Sequence, residues 1–166
     1  MDARLTSDRL TLRPVEPADA PFLQAHWSLP EVRRHLFDGE EVSQGLVEEI
    51  VNDSRSDFAE RGYGLWAMLS DGVIVGVCGL RATQDGQAEL LYSLDPGWWG
   101  QGLVTEAARA VLRHAAETGL TRVIAETDEA NAASARVARR LGMAELDVRD
   151  GPAGPLHRYS LEITPA

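Results

Sequence analysis

Polar and apolar residues alternate through Arg9, Leu10, Thr11, Leu12 and Arg13, the period of a half-buried strand, which predicts β-structure over residues 9–15. Pro17, Ala18, Asp19 and Ala20 then open a helical stretch that carries Phe22, Leu23 and His26. Ser28, Leu29 and Pro30 interrupt it, and residues 31–36 read as a further helical turn. Residues 42–61 form a longer helix candidate, with Leu46, Val47, Ile50, Val51 and Phe58 along one stripe. After Gly62 the pattern changes to strands. Residues 64–69 and 73–81 flank Ser70-Asp71-Gly72, whose Asp-Gly pair predicts a tight hairpin, and a second turn at residues 83–86 leads into a strand at 88–94. The strongest helical period covers residues 103–118, with Val104, Ala107, Ala108, Val111, Leu112 and Ala115 on one face and Gly119 placed to end it. A strand at 121–127, a helix at 131–141 opened by Asn131 and closed by Gly142, and strands at 144–149 and 156–163 complete the chain. This order predicts a mixed α+β fold with an antiparallel meander in its middle and a parallel crossover around the central helix.

With 166 residues, 44% of them hydrophobic, the chain has the size of one domain with a real core, and a single domain over residues 1–166 is expected. No run of about eighteen apolar residues occurs, so no membrane-spanning helix is expected. The first residues do not follow a signal-peptide pattern, and a cytoplasmic protein is the expectation. Cys78 is the one cysteine and lies in an apolar run, where it reads as a small buried hydrophobe rather than a reactive thiol. The four histidines are scattered without H-x-x-x-H spacing, so no metal site is expected. The net charge is −10, and every one of the 16 basic residues is arginine. Such a surface repels nucleic-acid backbones and attracts a cationic small molecule or a positively charged peptide end.

The sharpest local feature is Asp95-Pro96-Gly97-Trp98-Trp99-Gly100-Gln101-Gly102, between the third meander strand and the best helix. Glycines at a strand-to-helix turn let main-chain N–H groups close on an anion, and the helix start adds unpaired donors and its positive dipole end. The nucleotide motifs fail here. A P-loop needs Gly-Lys-Ser/Thr, and this chain has no lysine; a dinucleotide fingerprint needs a third glycine where Thr105 stands.

Around this loop the chain resembles the GCN5-related N-acetyltransferases (GNAT), and among them the branch of ribosomal-protein alanine acetyltransferases. Gly100 and Gly102 match the glycine positions of that family's Q/R-x-x-G-x-G/A motif, while Gly97 stands at the Gln/Arg position. Residues 99–107 are similar to the branch's Trp-Gly-x-Gly-hydrophobic-x-Thr-Glu-Ala, residues 9–14 with Asp19 and Ala20 to its opening, and Asn131 to Ser134 with Gly142 to its last motif.

The resemblance implies a mostly antiparallel sheet of six to seven strands flanked by helices, its two central parallel strands splayed to hold acetyl-CoA. Backbone groups of Tyr92, Ser93 and Leu94 would pair with the pantetheine, and Trp99, Gly100, Gln101, Gly102, Leu103, Val104, Thr105, Asn131 and Ser134 would complete the coenzyme site. Arg136, Arg139 or Arg140 would meet the 3′-phosphate or form a solvated helix face. The reaction implied is direct acetyl transfer to a primary amine, a protein N-terminus or a small molecule. The attacking amine must be neutral, so a base is required; Glu89, Glu126 and Asp128 are the candidates. Glu106 reads instead as a capping residue at the start of its own helix. For the proton owed to the leaving thiolate, the family's tyrosine position holds Ala138, and Ser134 is the candidate donor, with Tyr92 in reserve. The acceptor site is expected from the first helices and last strands, with Trp27, Phe37, Trp66, Trp98, Tyr159, His35 and His157 available and Trp66 the most core-like. The alternative is a non-catalytic acyl-CoA sensor. An exposed final strand also leaves room for a homodimer.

Overall fold

The computed structural model describes residues 3–36, 40–152 and 154–164. Its centre is an eight-stranded sheet in the order β1-β2-β3-β4-β5-β6-β8-β7, with strands β1 (Leu5–Thr6), β2 (Thr11–Pro14), β3 (Leu65–Ser70), β4 (Val73–Ala82), β5 (Ala88–Leu94), β6 (Arg122–Asp128), β7 (Ala144–Gly151) and β8 (Gly154–Glu162). Every neighbouring pair is antiparallel except β5 and β6. Five helices accompany the strands among the described residues: α1 (Ala20–Ser28), α2 (Pro30–Arg33), α3 (Gln44–Arg61), α4 (Leu103–Glu117) and α5 (Ala132–Arg140). None of them is long and apolar enough to cross a membrane.

Local chemistry explains the element ends. Ser43 accepts the Leu46 N–H and starts α3, and Gly62, at φ 83°, ends it. Asn131 caps α5 by accepting the Ser134 N–H. Asp71 and Gly72 both take positive φ, 49° and 78°, which joins β3 to β4 in the tight turn the Asp-Gly pair predicts.

The sheet has a different core on each face. On one, α4 and α5 cover Leu80, Ala88, Leu90, Val123 and Ala125, with Trp66 at 0% exposure. On the other, α1 and α3 cover Val15, Leu65, Ala67 and Val77. Side chains alternate along each strand, so this division fixes direction. Leu90 and Tyr92 belong to the α4–α5 face; Glu89, Leu91 and Ser93 point to the α1–α3 face.

Two sequence readings are corrected. The sheet has eight strands rather than six or seven, because Leu5 and Thr6 pair with Leu12 and Thr11; two residues are too few to show a period. The final strand is not exposed at an edge. β8 runs between β6 and β7, paired from Arg122↔Glu162 to Asp128↔Leu156, and β7 takes the edge with Leu146 and Val148 in solvent.

Candidate active site

β5 and β6 pair at Ala88↔Val123 and Glu89↔Ile124 and nowhere further. β4 holds β5 through to Leu94, and β8 holds β6 through to Asp128, so the two strands part beyond Glu89 and leave a gap. Main-chain groups along that side of β5 are thus available to an extended ligand, as at any open strand edge. On the α4–α5 face, the Tyr92 hydroxyl reaches across to the start of α5 and donates to the Ser134 carbonyl at 3.2 Å. Burial pushes the Tyr92 phenol up to about 12, so it stays protonated.

At the mouth of the gap, Pro96–Trp98 makes a 3-10 turn, and Gly100 and Gly102 adopt φ 81° and 77° before α4 begins. Among the described residues, the N–H groups of Gly100, Gln101, Gly102, Leu103, Val104 and Thr105 have no backbone acceptor; the first helical bond of α4 is Glu106 N–H to Gly102 carbonyl. Such a row of free donors at the start of a fifteen-residue helix suits a pyrophosphate. The Thr105 hydroxyl is buried without a partner. Trp99 is half exposed, and its indole N–H donates to the Leu94 carbonyl at 2.8 Å, which spans the loop with a side chain. Gly97 offers no side chain, but the Arg9 guanidinium lies beside Gly102: Nη2 is 3.8 Å from a Cβ built there.

Glu106 does not cap α4. Its carboxylate accepts from the Ser7 hydroxyl at 2.5 Å and from the Arg9 N–H and Nε, both at 2.8 Å, which clamps the N-terminal segment to the helix. Burial alone would raise the pKa of Glu106, but these bonds outweigh it and hold the carboxyl below its ordinary value.

The three carboxylates singled out as bases share the α1–α3 face. Continuing the register from Glu89↔Ile124 brings Glu126 level with Leu91 and Asp128 level with Ser93. Glu89 lies at the closed end. It is buried and paired with Arg81 at 2.6 Å; burial raises its pKa, Arg81 opposes this, and Glu126 adds to it. Glu126 is exposed, with Arg158 at 3.7 Å, and Arg158 in turn meets Asp147 at 3.0 Å, so charges alternate across the sheet. Asp128 stands at the open end, with His35 Nδ1 at 3.8 Å.

The α1 helix contributes His26, which the sequence reading did not connect with the site, and Trp27, which it named only as an acceptor-site aromatic. His26 places Nε2 2.8 Å from Ser93 Oγ and Nδ1 2.5 Å from Asp95 Oδ1, and Trp27 Nε1 donates to the same Ser93 oxygen at 3.2 Å. No signal in the sequence marks this cluster, because its partners are separated by more than sixty positions.

Of the expected acceptor-site aromatics, Trp27 and Trp66 are core residues, Trp98 is half-buried, and Phe37 lies outside the described residues. Tyr159 and His157 line a cavity of about 380 Å³ with Thr127, Asp128, Arg136 and Arg139; Arg140 does not line it, and its carbonyl accepts from Arg109. Cys78 is fully buried, its thiol pushed up to about 12 by burial. No group of metal-ligating side chains forms among the described residues.

A sheet opened between its two parallel strands, with an anion-binding turn at the mouth, defines the class: an N-acetyltransferase fold. The family profile described as "Acetyltransferase (GNAT) domain" matches residues 9–144, and the chain belongs to that family. It is 28% identical over 144 residues to the uncharacterized N-acetyltransferase p20 of Bacillus licheniformis, covering 82% of this chain and 80% of that protein. The fold superposes on RimL, a ribosomal L7/L12 alpha-N-protein acetyltransferase solved with coenzyme A, at TM-score 0.82 and 21% identity, over 96% of this chain and 97% of RimL. An acetyltransferase from Agrobacterium tumefaciens aligns at TM-score 0.80 and 26% identity, over 94% and 93% of the two chains.

Proposed function

We propose that residues 1–166 act as one cytoplasmic catalytic domain that transfers an acetyl group from acetyl-CoA directly to a primary amine. The observation that carries this reading is the gap beyond Glu89, with the free N–H groups of residues 100–105 at its mouth. Main-chain donors also explain how a chain of net charge −10 holds a polyanion. Acetyl-CoA supplies the acetyl thioester. The turn and α4 take its pyrophosphate, the Arg9 guanidinium serves where Gly97 lacks a side chain, and the open edge of β5 at Tyr92 and Ser93 pairs with the pantetheine amides. A main-chain N–H on the open edge of β5, further from the turn than the groups that pair with the pantetheine, polarises the thioester carbonyl.

The amine approaches from the α1–α3 face, where Glu126 and Asp128 accept the proton of the incoming ammonium, directly or through water. Asp128 is the better placed, being level with Ser93. Glu89 lies about 13 Å further down β5 at the ordinary strand rise and is held by Arg81. The Ser134 hydroxyl, on the first turn of α5, gives the leaving thiolate its proton. The acceptor is a protein N-terminal amine, as for RimL, or a cationic small amine, and the edge of β7 with Leu146 and Val148 is where a second copy would pair.

The first test is thermal stabilisation by CoA, ATP and NAD side by side; stabilisation by CoA alone is expected, and its absence would sink the reading. Turnover then follows by free-thiol release against spermidine, an aminoglycoside, and alanine- and serine-initiated peptides. The sensor reading rests on Ala138, buried where the family carries a tyrosine hydroxyl. Tight CoA binding with no thiol release on any amine would favour it.

A further inference from the structure

The His26 side chain is wholly buried, yet both ring nitrogens have polar partners, Asp95 Oδ1 and Ser93 Oγ. Hydrogen-bond accounting sets the protons. An ionised Asp95 can only accept, so Nδ1 carries the hydrogen and Nε2 of a neutral ring is left as an acceptor. Ser93 Oγ already accepts from Trp27 Nε1, so its own proton turns to His26 Nε2. Burial holds His26 below the ordinary histidine pKa against the opposing pull of Asp95, the charged group that acts on it; its other close neighbour is the Phe22 ring, stacked at 5.4 Å. The imidazole is therefore neutral at pH 7. Anchoring α1 does not require such a cluster, since Leu23 and Trp27 already bury the helix, and burying an imidazole costs free energy unless both nitrogens are satisfied. The chain of bonds reaches the surface at both ends, at Asp95, whose side chain is 30% exposed, and at half-buried Ser93, which is the end on the gap-side strand at the level of Asp128.

We propose that Ser93, His26 and Asp95 form a proton relay serving the attacking nucleophile, Ser93 as the catalytic residue and His26 and Asp95 as the residues that position and charge it. This rests on the acetyl-transfer reading above. The carboxylates on β6 neutralise the ammonium; the relay takes the second proton, released during attack. As the N–C bond forms and the C–S bond breaks, the electron pair leaves on sulfur. The nitrogen's surplus proton passes to Ser93 Oγ while the serine's own proton passes to His26 Nε2, and Asp95 holds the resulting imidazolium. Ser134 protonates the sulfur and is refilled from solvent, to which His26 releases its proton back through Ser93. Amine and thioester thus become amide and thiol with protons balanced. Water in place of the amine uses the same path and gives acetate.

The test uses acetyl-CoA and water, which needs no knowledge of the acceptor. Thiol release by the full chain is followed across pH for wild type, S93A, H26Q, D95N and the S93A/H26Q double variant, with CoA stabilisation measured beside each. Single losses on the order of 10²-fold are expected, with the double no slower than the slower single. The wild-type rate should fall on the acid side as His26 protonates. D95N should move that limb to lower pH, because the upward pull of the carboxylate is gone, and H26Q should abolish it. Independently, imidazole ¹⁵N resonances should show Nδ1 protonated and Nε2 bare in wild type. A merely structural cluster leaves the acid limb in place and multiplies the losses in the double variant, and either result overturns the relay. So does CoA binding without thiol release to water above buffer, while the amine panel still judges the transferase. Loss of CoA binding in wild type takes both down. If H26Q fails to fold, S93A, which removes one oxygen, carries the rate test.

Discussion

Gly100 is a position where the backbone requires glycine. At φ 81° a side chain costs about 1–2 kcal/mol, yet a Cβ built there meets no heavy atom within 4 Å. Strain, not collision, is the penalty, and the chain can relieve it by turning the neighbouring N–H groups away from the ligand. Gly100→Ala is expected to weaken CoA binding about tenfold by calorimetry with little change in melting temperature; unchanged affinity would mean the turn does not hold the pyrophosphate. This residue was legible, because glycines at a strand-to-helix turn state their reason in one stretch of chain. His26 was not. A lone histidine on an apolar helix face looks the same whether it packs or transfers protons, and only the fold brings Ser93 and Asp95 to it. Glu106 misled for the same reason: its partners, Ser7 and Arg9, lie 99 and 97 positions away.

Between elements, Arg13 on β2 holds Asp19, at the entry to α1, through two bonds of 2.8 Å, and the Glu16 N–H donates to the same carboxylate. Burial would raise the Asp19 pKa, but Arg13 and the Glu16 N–H outweigh it and the carboxyl is held below its ordinary value. A depressed folded pKa means stability that is present above the unfolded value of about 3.9 and lost as pH falls through the folded one. Asp19→Asn is therefore expected to cost on the order of 2 kcal/mol in urea unfolding at pH 7. The gap to wild type should narrow as pH falls below the unfolded value and through the lower folded one; a constant gap would refute the ion pair's role. Most elements were readable to within a few residues, since hydrophobic period and caps are local. The sheet's order was not. Whether β7 or β8 takes the edge depends on which of them β6 accepts, and the pairs β6 makes with β8 join residues 28 to 40 positions apart.

At the scale of the molecule, the acidity read from the sequence as repelling a nucleic-acid backbone now has a location. Glu126, Asp128, Glu145 and Asp147 gather around β6, β7 and β8 against Arg158 and His157, while CoA is proposed to bind chiefly through uncharged main-chain donors, with the Arg9 guanidinium beside them. The two substrates should then respond to salt in opposite ways. A cationic acceptor is drawn in by long-range attraction, which weakens as the Debye length falls from about 10 Å at 0.1 M to about 3 Å at 1 M. Acetyl-CoA, itself an anion, is repelled at long range, and screening relieves that repulsion without touching the hydrogen bonds that hold it. Over that range KM for spermidine is expected to rise several-fold while KM for acetyl-CoA stays level or falls. Glu126→Gln, which removes an exposed charge from the approach, should reproduce part of the spermidine effect at low salt and flatten its salt dependence. Parallel rises in both constants would mean that arginine side chains, not the backbone of the glycine turn, carry the coenzyme, and that the acidic face takes no part in choosing the amine.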